Sequence, residues 1–132
     1  FTYTDATLYN CLKNKKKISV KQGYAKCSLC LVTDRAFITE DRGIYTALTR
    51  EGAEVLLISA GDIALSDIHT GFFGGATGKI APDILAVNGS LSCHRDGEKI
   101  RRFLRRHGVE AAELSDGKIT DIGGIIPLKE NE

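Results

Sequence analysis

The sequence has no methionine, no tryptophan and only two prolines. It also lacks a long apolar run: none exceeds four residues, as at 55–58, whereas a membrane-spanning helix needs roughly 18. No charged stretch followed by an apolar segment stands near residue 1, as a secretory signal would require. These absences predict a cytoplasmic location without membrane contact. The missing methionine predicts that the chain is part of a longer protein.

The chain also has almost no net charge, because 18 Lys and Arg residues are balanced by 17 Asp and Glu residues. A dedicated nucleic-acid binder is usually strongly basic, so nucleic acid is not an expected partner. The length of 132 residues fits about one domain. A hydrophobic fraction of 42% and a charged fraction of 27% are ordinary for a folded globular chain and exclude wholesale disorder.

Cysteine is sparse and poorly arranged for a metal. Cys27 and Cys30 form a C-x-x-C pair, which is a redox motif or half of a zinc site, but Cys11 and Cys93 are isolated. On a strand, positions i and i+3 point to opposite faces, so the pair would not converge on one ion. We therefore expect reduced cysteines in an intracellular core, with no metal and no cofactor.

Turn and apolar signals divide residues 25–58 into strand, strand, helix and strand. The helix prediction rests on Asp41 as a cap, on Ile44 and Leu48 as an apolar stripe, and on Gly52 as a left-handed terminator. The predicted elements are a strand at 25–32, a turn at 33–35, a strand at 36–39, a helix at 42–50 and a buried strand at 55–58, with another helix upstream at 5–13.

A similar order of elements recurs about 56 positions later, where Ile100, Leu104 and Gly108 align with Ile44, Leu48 and Gly52. The predicted elements are a glycine-rich strand region at 72–76, a strand at 83–87, a helix at 96–107 capped by Asp96, a strand at 109–114, and a further strand or two at 118–128. We therefore expect two ββαβ units, about 25–60 and 71–114, within a single domain of residues 1–132. A chance likeness between two short amphipathic helices is the alternative.

Four stretches, QGYAKC (22–27), TEDRGI (39–44), GFFGGATG (71–78) and DIGGIIPL (121–128), resemble an uncharacterised family of bacterial proteins with the guanidine-modifying-enzyme, or pentein-like, fold. The resemblance extends over about residues 18–128. It implies an α/β propeller of five ββαβ units around a central channel, of which this chain is the C-terminal part. An upstream segment of the same protein, or self-association through an open sheet edge, would complete the ring. A three-layer sandwich with one mixed sheet is the alternative fold.

Pentein-like enzymes act on guanidino groups with a cysteine nucleophile near the C-terminus, a histidine as acid and base, and carboxylates that hold the cation. This sequence has no cysteine after Gly117. The resemblance therefore implies a binding or structural module for a small cationic or guanidino ligand. The alternative is an amidinohydrolase-like or other hydrolytic enzyme that uses residues 93–96, with Cys93 as nucleophile, His94 as base and Asp96 as orienting acid. A plain helix entrance is the other interpretation of these residues.

Glycines and carboxylates supply the candidate ligand site. Gly74 and Gly75 would let the backbone approach a ligand, or would only avoid clashes at a tight strand crossing. Glu40 and Asp41 end a predicted strand, and Asp121 precedes the glycines of the tail. Acids that meet at the ends of equivalent strands would repel one another unless a cation lies between them, which favours a guanidinium or an amine over a phosphate.

A basic stripe marks the second predicted helix, at Lys99, Arg101, Arg102, Arg105 and Arg106. Such a stripe could contact phosphates. No aromatic residues are interleaved for base stacking, so a solvated helix face is the favoured interpretation.

Overall fold

The computed structural model describes residues 28–65 and 69–126. The predicted helix at 5–13, Cys11 and Cys27 lie outside these residues. The strands are β1 (Leu29–Thr33), β2 (Ala36–Thr39), β3 (Glu54–Leu57), β4 (Thr77–Ala81), β5 (Ile84–Val87) and β6 (Glu110–Glu113). The helices are α1 (Arg42–Arg50) and α2 (Gly97–Arg106), with short 3₁₀ turns at Phe73–Ala76 and Leu91–Cys93.

The fold is mixed α/β, with two three-stranded sheets and two helices among the described residues. One sheet has the order β1-β2-β3 and the other has the order β4-β5-β6. In each sheet the first pair is antiparallel and the second pair is parallel. The described strands therefore do not form the one continuous mixed sheet of the sandwich alternative.

The first half follows the predicted local signals closely. The Asp41 side chain accepts a hydrogen bond from the Ile44 amide at 2.9 Å and caps α1. Ile44 and Leu48 are buried against the first sheet, and Gly52 ends the helix with φ of +93°. The bounds predicted for β2 and α1 are confirmed, because cap, apolar stripe and terminator are all encoded within a few residues.

The apolar face predicted for the second helix is confirmed, but the predicted cap is wrong. Ile100, Phe103 and Leu104 are buried and Gly108 has φ of +73°. The Asp96 side chain does not cap α2; its Oδ2 atom accepts from the Ser59 amide at 2.7 Å, in the loop after β3. A tertiary partner has replaced the local one.

Three strand predictions need correction. The glycine-rich region at 72–76 is a 3₁₀ turn, and its strand begins only at Thr77. The strand predicted as fully buried at 55–58 spans 54–57 and is half-buried, apart from exposed Glu54. Within its described part, the tail forms an isolated bridge between Thr120 and Ala64 rather than a strand.

One apolar core joins the two sheets. Its members come from both halves and from α2, and include Cys30, Ile38, Phe73, Leu85, Val87, Leu91, Ile100 and Ile119. A smaller cluster of Leu29, Phe37, Ile44 and Leu48 lies beneath α1. Among the residues described here, no helix is long and apolar enough to cross a membrane.

Replacing Gly97 by Ala tests the contact that holds the loop before α2. A Cβ atom at this position would lie 2.0 Å from the Leu91 carbonyl oxygen. We expect Gly97→Ala to lower the free energy of unfolding by about 1–3 kcal/mol, measured by urea denaturation, because backbone must move.

The matched control is Gly43→Ala in α1, where the nearest atom is the Asp41 Oδ1 side-chain oxygen at 3.1 Å. Its effect should stay below about 1 kcal/mol. Equal losses in both variants would contradict the assignment of a backbone clash to Gly97.

Candidate functional site

Two carboxylates bind neighbouring backbone amides at the start of the 3₁₀ turn. Glu40 follows β2, and its Oε2 atom accepts from the Phe73 amide at 2.8 Å. Asp121 lies in the tail, and its Oδ2 atom accepts from the Phe72 amide at 3.0 Å. The structure thus brings together Glu40 and Asp121, which are distant in sequence, although Asp121 lies in an irregular part of the tail and not at the end of a strand.

The glycine run makes room for Asp121. A Cβ atom on Gly75 would lie 2.0 Å from Asp121 Oδ1, and one on Gly71 would lie 2.4 Å from Asp121 Cβ. These contacts favour the tight-crossing interpretation for Gly71 and Gly75. Gly74 lines a separate cavity of about 250 Å³ together with Cys30, Thr77 and Lys79.

Glu40 carries an unsatisfied atom. Its Oε1 is buried and has no hydrogen-bond partner among the described residues. Burial, together with the smaller effect of the negative charges of Asp121 and Asp41, raises the pKa of the Glu40 carboxyl from 4.5 to about 7, against hydrogen bonds from the backbone amides of Phe73 and of Glu40 itself. A bound cation would satisfy this oxygen and relieve the repulsion.

Asp41 contributes charge to this region while it caps α1. Its Oδ1 accepts from the Ile44 amide, so the simple N-cap interpretation is correct for that oxygen. Asp121 is also engaged at both oxygens, because Oδ1 accepts from the Gly123 amide at 2.9 Å. Within 28–65 and 69–126, Glu40 Oε1 is therefore the buried carboxylate oxygen of the site that lacks a donor.

His94 is a buried imidazole on the other side of Phe73. Its Nδ1 accepts from the Asp96 amide at 2.9 Å, so a neutral ring carries its proton on Nε2. That Nε2 atom is buried and has no partner among the described residues. The Phe73 ring lies edge-on to His94, with 6.4 Å between ring centroids. Burial lowers the pKa of His94, against the opposing charge of Asp62.

The contacts of Cys93 and Asp96 do not join them to the His94 imidazole in a catalytic set. Cys93 is exposed, and its Sγ lies 3.7 Å from the Asp116 carbonyl oxygen. The Asp96 carboxylate binds the Ser59 amide, which lowers the pKa of that carboxyl. In the described part of the chain, no hydrogen bond links the Cys93 thiol to His94. A joint catalytic role for Cys93, His94 and Asp96 remains a prediction.

Asp62 is a site neighbour that the sequence did not reveal. Its carboxylate accepts from the Arg95 amide at 2.7 Å and from the Arg95 Nε and Nη2 atoms at 3.2 and 3.1 Å. Asp62 Oδ2 also lies 3.9 Å from His94 Nδ1. No local motif marks Asp62, because its partners lie 32 or more positions away and meet it only through the fold.

Within 28–65 and 69–126, no group of three His, Cys, Asp or Glu side chains is arranged to hold a metal ion. The acceptors that the site presents are the carboxylate oxygens of Glu40, Asp41 and Asp121, and carboxylates accept hydrogen bonds from nitrogen cations.

The comparisons with known proteins identify the family alone. Residues 1–126 match the model of a family of unknown function, DUF6873, and the chain belongs to that family. Neither a curated protein sequence nor a solved structure matches the chain.

The stability of the protein should depend on pH through Glu40. Because its folded pKa of about 7 exceeds the ordinary 4.5, its contribution is present in full below pH 4.5 and is lost as pH rises through 7. We expect Glu40→Gln to remove this loss, so that the variant gains on the order of 2 kcal/mol relative to wild type between pH 4 and pH 8. Chemical denaturation across pH measures the difference.

Glu98→Gln on the exposed surface of α2 is the matched control and should follow the wild-type pH curve. A Glu40→Gln curve parallel to that of wild type would contradict the raised pKa.

Alkylation distinguishes the two described cysteines. Cys30 is buried and its pKa is raised to about 12 by burial, whereas Cys93 is exposed. Iodoacetamide at pH 8, followed by peptide mapping, should modify Cys93 readily and Cys30 only after unfolding. We also expect the pH dependence of Cys93 alkylation to be the same in His94→Ala. A shift of that curve would mean that His94 acts on the thiol and would favour the hydrolase alternative.

Proposed function

We propose that this chain is a ligand-binding module of pentein-like fold that holds a small organic cation, a guanidinium or an amine, at Glu40 and Asp121. The observation that carries the proposal is the buried Glu40 Oε1 atom, which lacks a donor beside a second buried carboxylate. Such an arrangement is costly in the empty site and favourable with a cation present.

The pattern of strand pairing supports the pentein-like part of the proposal. Both hairpins have three regular pairs followed by one irregularity, between Leu31 and Thr33 in one sheet and between Lys79 and Ala81 in the other. Each hairpin is followed by a helix and a parallel third strand. Two matching ββαβ sets are the expected building blocks of an α/β propeller. The rest of the ring would come from an upstream segment of the same protein or from self-association.

Charge supports a cation over an anion. Glu40, Asp41 and Asp121 place three carboxyl groups in one region, and Glu40 feels the charge of both others. A guanidinium can donate two parallel N–H bonds to a carboxylate. It therefore matches Glu40 better than an amine does, because Oε1 has no donor among the described residues. A phosphate or carboxylate ligand would add to the repulsion.

Binding without catalysis fits the described side chains better than hydrolysis does. A thiol nucleophile must lie within reach of its base, and Cys93 Sγ instead contacts the Asp116 carbonyl oxygen. The unpartnered Nε2 of His94 is the feature that keeps the hydrolase alternative in consideration. The binding proposal assigns no role to this N–H, because a nitrogen cation has no acceptor to offer it.

A thermal-shift screen tests the proposal with agmatine, arginine and short alkylamines as probes. Citrulline, in which a neutral ureido group replaces the guanidinium group, is the matched control for arginine. A cation at a hundredfold above its Kd should add roughly 2.7 kcal/mol to stability. Glu40→Gln and Asp121→Asn should lose this gain, and Glu98→Gln should keep it. Because the cation needs an ionised Glu40, affinity should increase as pH rises through about 7.

Two outcomes would contradict the cation proposal. One is equal stabilisation by citrulline and arginine, which would remove the role of charge. The other is stabilisation that persists in Glu40→Gln, which would place the ligand elsewhere.

A further inference from the structure

A second surface feature is a groove between β3 and α2. Its lining is basic, whereas the carboxylate site is acidic. It has a volume of about 540 Å³ and is lined by Leu56, Lys99, Arg102, Phe103, Arg105 and Arg106. We call it the basic groove. Leu56 is half-buried, and the Arg106 guanidinium lies 5.5 Å from the centre of the Phe103 ring. The groove thus combines an apolar floor with a cationic rim.

The rim has cations that the fold does not neutralise. Arg106 is paired with Glu54, and Lys99 Nζ lies 3.9 Å from Asp96. Arg102 and Arg105 are exposed and have no acidic partner in the described part of the chain. Since they are three positions apart on one helix, their side chains leave the helix from neighbouring positions, and both line the groove.

These charges are not needed to pack a helix onto its sheet. The 56-position shift aligns Arg102 with Thr46 and Arg105 with Thr49 of α1, and it aligns Phe103 with Ala47. Helix α1 buries its apolar face through Ile44 and Leu48 without any of the three. Two adjacent unpaired arginines also repel each other, so the basic groove costs some stability in the free protein.

We propose that the basic groove binds an acidic peptide segment of a partner protein, with an aliphatic side chain against half-buried Leu56 and carboxylates on Arg102 and Arg105. Arginine forms bidentate hydrogen bonds with carboxylates, which suits a peptide rich in Asp or Glu. A nucleic acid fits less well. Phe103 is only 5% exposed and offers no ring face for base stacking.

Fluorescence anisotropy tests the proposal with two labelled peptides. In one, glutamates alternate with leucines; in the other, serines replace the leucines. We expect the leucine peptide to bind more tightly than the serine peptide at physiological salt. The double variant Arg102→Glu/Arg105→Glu should weaken its binding roughly tenfold or more. The matched charge reversal on α1, Arg42→Glu/Arg50→Glu, should change it less than about twofold.

Each result decides the proposal. Leu56→Ser should abolish the preference for the leucine peptide. The proposal is overturned if the serine peptide or a DNA duplex binds as tightly as the leucine peptide, since the groove is then a general polyanion surface. It is also overturned if charge reversal in α2 has no greater effect than charge reversal in α1. Thermal melts verify folding of each variant, and Arg102→Gln/Arg105→Gln replaces the double reversal if that variant fails to fold.

Discussion

The buried pairing of two carboxylates with the Phe72 and Phe73 amides is the constraint on which the rest of this structure depends. Glu40 reaches these amides from the end of the first sheet, and Asp121 reaches them from the tail. A hydrogen bond to a charged group contributes roughly 1.5–3 kcal/mol, and leaving a buried charge unpaired costs more. The two bonds therefore hold the end of β2, the 3₁₀ turn and the tail in fixed positions relative to one another. The same bonds also concentrate negative charge where Glu40 Oε1 has no donor.

A second polar set ties the loop after β3 to the entrance of α2. Asp96 accepts from the Ser59 amide, and Asp62 accepts from Arg95. His94, next to these bonded residues, is buried beside Phe73, whereas Cys93, one residue earlier, is exposed. Adjacent positions in an irregular loop thus have opposite environments. The Cys93 thiol and the His94 Nδ1 atom thus have different hydrogen-bond partners, which is why we propose ligand binding and keep hydrolysis as the alternative.

The two proposed surfaces have opposite charge and are formed by different elements of the fold. The carboxylate site lies where strand ends, glycines and tail meet, and it is largely buried. The basic groove lies on the outer face of α2 and is open to solvent. The net charge of +1 for the whole chain does not reveal these two regions. Net charge alone hides such patches, because it sums over the whole surface.

The sequence by itself determined the features that depend on short-range signals. Asp41, the apolar stripe of α1 and Gly52 predicted that helix correctly, and the two matched apolar faces of α1 and α2 were visible from spacing. The sequence also marked Glu40 and Asp121 as candidate site residues, but the expected reason, that strand ends meet, does not apply to Asp121, which lies outside the described strands. Tertiary structure decided the rest. The Asp96 side chain binds the Ser59 amide instead of capping its own helix. The glycine run is a 3₁₀ turn and not a strand, and Asp121 packs against Gly71 and Gly75 beside it. Asp62, the burial of His94 and the basic groove depend on partners far away in sequence, and no local pattern encodes a distance across the fold.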